Sequence, residues 1–160
     1  MGKTFETISQ VISLFPGLAN DKYFKITSPH DGAYNCIAWA YFIDNRWMWP
    51  NTGEYEFIDG VHYWPTKEIT TEEVIHFIDA FKLQGYEECN NWENEEGFRR
   101  IALYVEEGTT LGTHASRELS SGVWVSKLGE MVDIEHGNPY TIEGKHYGKV
   151  YCIMKKRIFK

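Results

Sequence analysis

The chain has 160 residues, 42% of them hydrophobic and 24% charged, with a net charge of −7. That length suits one folded domain with a sizeable core. The acidic balance, relieved only by K-K-R at 155–157, speaks against a nucleic-acid partner.

In chain order, T-F-E-T-I-S-Q-V-I-S-L-F at 4–15 reads as a short helix ended by Pro16-Gly17. Residues 21–27 (D-K-Y-F-K-I-T) fit a short strand or extended arm, and S-P-H-D-G is turn chemistry. A helix is expected over 35–45, then a long loop over 46–65 rich in Trp, Gly, Pro and acidic residues. A second helix is better marked: Thr70 or Thr71 can cap it, Val74, Phe77, Ile78 and Phe81 follow at helical spacing, and Gly85 closes it. From Tyr86 the period changes to two. Y-E-E-C, F-R-R-I-A-L-Y-V at 98–105, T-H-A-S-R-E-L at 113–119, V-W-V-S-K-L at 123–128, residues 132–136 and residues 147–158 read as strands, with S-S-G as a tight hairpin. No repeat or linker divides the chain, so residues 1–160 are one domain. No apolar run approaches the roughly eighteen residues of a membrane span, and the N-terminus lacks a signal-peptide core. A cytoplasmic protein is expected, with export by a dedicated system left open.

Three cysteines, Cys36, Cys89 and Cys152, cannot all pair within the chain, and none stands at zinc-ligand spacing. Cys36 differs from the others. It sits in Y-N-C-I-A-W-A, where a polar turn gives way to a helix, and the partial positive charge of a helix start favours a thiolate. A nucleophilic thiol needs a base. Among six histidines, His114 opens a strand whose alternation sends His114, Ser116 and Glu118 to one face. The next strand can bring Ser126 or Lys127 opposite, with Asp133 and His136 just beyond.

A cysteine at a helix start, a His-Ala pair opening a strand and a polar residue on the following strand resemble the papain-like superfamily of cysteine peptidases and amidases, most closely its compact NlpC-type members. The segments N-C-I-A-W-A, T-H-A-S-R-E-L-S-S-G-V-W-V-S-K-L-G and D-I-E-H are also similar to those of an uncharacterised bacterial family. The resemblance implies an α+β fold with N-terminal helices packed on a mostly antiparallel sheet. It further implies Cys36 as nucleophile, His114 as general base, no metal or organic cofactor, and a peptide or other amide as substrate, with no nucleic acid or membrane involved. The relatives place His, Asn, Gln or Asp in the third position, and this chain departs from that pattern. Asp133 ranks first there, because a carboxylate fixes the imidazole tautomer and stabilises its cation; Ser126 and His136 are the alternatives. Asn35, Trp39 and Trp124 are candidate substrate contacts, with helix capping for Asn35 and packing for the tryptophans as the plainer roles. The alternative function is a non-catalytic binding module on the same fold, in a bacterial toxin, defence or phage-related system.

Overall fold

The computed structural model describes residues 2–28, 40, 47–48, 62–63, 73–128 and 132–158. Cys36, Asn35 and Trp39 lie outside the described residues, as do the expected 35–45 helix apart from Ala40 and most of the 46–65 loop. Two short pieces there, β2 (Trp47–Met48) and β3 (His62–Tyr63), pair in parallel.

Strand-forming sequence decides the architecture. The alternating apolar runs form β1 (Lys25–Ser28), β4 (Glu87–Cys89), β5 (Phe98–Val105), β6 (Gly112–Glu118), β7 (Trp124–Lys127), β8 (Asp133–His136) and β9 (Lys149–Arg157). They make one seven-stranded sheet in the order β1-β8-β7-β6-β5-β9-β4, antiparallel at every pairing. The β6–β7 hairpin closes through Leu119 and Gly122, whose φ of 93° is the left-handed conformation that glycine adopts without strain.

Both faces of the sheet centre are covered, so β5 is buried continuously from Arg100 to Val105 rather than on alternate residues. On one face Ile101, Leu103, Val105, Ala115 and Met154 meet Val74, Phe77, Ile78 and Phe81 of α2 (Val74–Leu83). Phe77 and Phe81 stand one turn apart on the buried stripe. The first free N–H of α2 is satisfied by the Thr110 carbonyl at 2.7 Å, since Glu73 makes no side-chain cap. On the other face Ala102, Tyr104, Trp124, Ile134 and Ile153 meet Val11 of α1 (Gly2–Leu14), together with Phe15 and Leu18. Two short 3-10 turns, η1 (Pro16–Asn20) and η2 (Pro139–Ile142), complete this second layer.

The expectation of an α+β papain-like arrangement, with N-terminal helices packed on the sheet, is overturned. The described residues form a mainly antiparallel sheet with two α-helices, of which α1 precedes β1, and the chain then enters the sheet itself. The reason lies at 16–28. Pro16 ends the helical run, and K-I-T-S then pairs with β8 as an edge strand instead of continuing across the sheet face. Among the described residues no helix is long and apolar enough to cross a membrane.

Candidate active site

His114 is fully buried on the face of the sheet that also carries Tyr104 and Ser116. Its Nε2 lies 3.1 Å from the Ser126 Oγ, and the same hydroxyl lies 2.8 Å from His136 Nε2. His136 Nδ1 ends the chain 2.8 Å from the carbonyl oxygen of Asn138. Three strands supply the three side chains: β6, β7 and β8 are neighbours in the sheet, and Ser126 on the middle strand bridges the flanking imidazoles. The His114 ring is clamped as well as tethered. Tyr147 stacks on it at 3.9 Å with an 8° interplanar angle, and Tyr104 leans against it at 5.1 Å. Phe15 packs in turn against Tyr147.

The chain's far end is held by the β8–η2 turn. The Tyr104 hydroxyl donates to the Pro139 carbonyl at 2.6 Å, so Ser116 must donate to Tyr104 at 3.0 Å. Asn138 Oδ1 accepts from Tyr140 N. Asp21 reaches across from the N-terminal part, its carboxylate accepting from Gly137 N at 2.7 Å and from Thr141 Oγ1 at 2.8 Å. An added Cβ at Gly137 would stand 2.9 Å from the Asp21 carboxylate, so a larger residue there would displace that side chain.

Two ring nitrogens of this layer, His114 Nδ1 and Trp124 Nε1, are buried with no hydrogen-bond partner among the described residues, and of the two only the imidazole nitrogen can act as a base. Burial holds the His114 pKa well below the usual imidazole value, helped by the nearby His136 and His146. Burial also lowers His136, to about 4, against the opposing pull of its bond to Asn138 and the Asp21 charge. Both rings are therefore neutral at physiological pH. The arrangement can hold an imidazole rigidly and leave one of its nitrogens available for proton transfer.

Asp133, ranked first for the third position, is not beside His114. The β7–β8 register pairs Lys127 with Asp133 and Trp124 with His136, and side chains alternate along a strand. Asp133 thus lies on the α2 side of the sheet, 3.7 Å from Lys127, whereas Ser126 and His136 point to the His114 side. Ser126 and His136, offered as alternatives for one position, both belong to the chain. Trp124 is fully buried in the second core and lines no open surface. Ala40, four residues after Cys36, is buried with Val74 and Phe77 in the α2-side core. Sequence reasoning passed over Asn138, Asp21 and the stacking role of Tyr147; the N-P pair at 138–139 was the one available signal, since it marks a turn.

A cleft of about 560 Å³ opens between the end of α1 and the η2–β9 connection, where Leu14, Pro16, Gly17, Lys145 and His146 line it. His146 packs edge-on against Phe15 and tilted against Tyr147, which links the cleft to the stack over His114. Among the described residues no group of three or more His, Cys, Asp or Glu side chains could hold a metal ion.

A family model for a domain of unknown function, DUF7689, matches residues 25–155. The chain belongs to this family. The matched span runs from β1 into β9 and includes Cys36, His114, Ser126 and His136, but not α1 or η1. No curated protein and no solved structure matches the chain.

Proposed function

We propose that this DUF7689 domain is a cysteine-dependent hydrolase of amide or peptide bonds, with Cys36 as nucleophile and His114 as general base. One observation carries the reading: His114 is gripped through Nε2 and by two tyrosine rings, yet its buried Nδ1 has no partner among the described residues. Leaving a buried polar atom unpaired costs about 1–3 kcal/mol, and such costs are tolerated where an atom has chemistry to do. The Cys36 thiol is the partner that the sequence offers. Its sulfur attacks the amide carbon while its proton passes to Nδ1. The C–N bond then breaks as that proton moves to the leaving amine. Water, deprotonated by the same nitrogen, attacks the thioester, which releases the acid and restores the thiol. Because burial keeps His114 neutral, its Nδ1 can take the thiol proton during attack.

A second reading, a non-catalytic binding module, is favoured by the place of Ala40 in the α2-side core, across the sheet from His114. The experiment that separates the two needs no substrate. Alkylation of each cysteine by iodoacetamide at pH 7 is followed by mass spectrometry in wild type and His114→Gln. The hydrolase reading expects Cys36 to slow by tenfold or more in the variant while Cys89 keeps its rate. Equal Cys36 rates in the two proteins would contradict it.

A further inference from the structure

We propose that His136 and Ser126 are positioning residues acting in series, which lock His114 in the tautomer whose Nδ1 is unprotonated. Their effect on the ring follows from the hydrogen bonds alone; only its use in hydrolysis rests on the function proposed above.

The direction of every bond in the chain is fixed from one end. The Asn138 oxygen is a backbone carbonyl and can only accept, so His136 Nδ1 carries a hydrogen. In a neutral imidazole the other nitrogen is then bare, so His136 Nε2 accepts from Ser126. The serine hydroxyl has a single hydrogen, now spent, and its oxygen must accept from His114. His114 Nε2 is therefore the N–H, and the lone pair is left on Nδ1. A carbonyl two residues past β8 thus sets which nitrogen of a histidine on β6 is basic. The carbonyl is itself held by the turn that Asp21 and the Asn138 side chain brace.

The chain orients His114 without relaying its proton. When Nδ1 takes a proton, the Nε2–H bond to Ser126 is unchanged and nothing further along needs to move. The chain also ends on a neutral carbonyl instead of a carboxylate, so it supplies geometry and no counter-charge. Sequence reasoning gave both tasks to one acidic residue; the structure divides them and drops the charge.

The test is spectroscopic. Long-range ¹H–¹⁵N NMR spectra of protein labelled with ¹⁵N-histidine at pH 7 report which ring nitrogen bears the hydrogen. In wild type, His114 is expected as the Nε2–H form and His136 as the Nδ1–H form. Ser126→Ala removes the acceptor, and His114 should pass from nearly all Nε2–H to a mixture in which the Nδ1–H form is detectable, since both tautomers are then allowed. His136→Phe frees the serine hydroxyl to donate to His114 Nε2, which should flip His114 toward Nδ1–H. A wild-type His114 found as Nδ1–H overturns the proposal even if neither variant folds, and so does an unchanged Nε2–H form in both folded variants. Failure of the hydrolase reading appears separately, as Cys36 alkylation that ignores His114.

Discussion

Two neutral imidazoles buried in one layer should make the protein sensitive to mild acid. An unfolded chain leaves both histidines near the ordinary value of about 6.5, whereas burial holds His136 at about 4 and His114 well below its usual value. As pH falls below 6.5 the unfolded state takes up protons that the folded state refuses, so stability is full above that pH and is lost on acidification. Each pH unit across the shifted range is worth about 1.4 kcal/mol per group, so His136 alone removes about 2 kcal/mol by pH 5. His114 adds a loss of the same sign. Glu118, pushed up by burial, acts oppositely and offsets part of this loss. A domain has only about 5–15 kcal/mol to lose. Urea unfolding followed by tryptophan fluorescence from pH 7 to pH 5 measures the effect at fixed ionic strength, and His136→Phe should remove about 2 kcal/mol of it. Stability that stays level between pH 7 and pH 5 would refute the buried, neutral histidine chain.

Asp133→Asn should leave Cys36 alkylation at the wild-type rate, because the side chain is on the far side of the sheet from His114, yet should lower stability by removing one charge of the buried 3.7 Å Lys127–Asp133 pair; urea midpoints and alkylation rates check the two halves separately. Asp21→Ala deprives Tyr23 N and Gly137 N of their acceptor and leaves Thr141 Oγ1 only its 3.2 Å contact with the Asn138 carbonyl. It should lower stability by roughly 1–3 kcal/mol in the same urea assay.

What the sequence made legible was whatever repeats locally. Residues 98–105 end in the continuous apolar run I-A-L-Y-V and form β5 with those bounds, and Val74, Phe77, Ile78 and Phe81 fall on the buried stripe of α2. Alternation also separates His114 and Ser116 from Ala115, as the two cores require. Architecture was not legible in the same way. Whether 21–28 lies on the sheet or within it depends on pairing with β8, more than a hundred residues later, and no local period reports that. The third position failed for a related reason. Asp133 and His136 are both near His114 in a linear reading, and only the Lys127–Asp133 register decides which of them shares its face. The role of Asn138 was invisible, because it is performed by a backbone carbonyl that any residue possesses.

The most direct test is the distance from Cys36 Sγ to His114 Nδ1 in a crystal structure of the protein. A thiol in proton-transfer contact would stand about 3–4 Å from that nitrogen, on the Tyr147 side of the sheet; this is the result expected. A Cys36 sulfur lodged on the α2 side with Ala40 and Phe77, the sheet lying between it and His114, would contradict the catalytic pair and leave the histidine chain as part of a binding module's core.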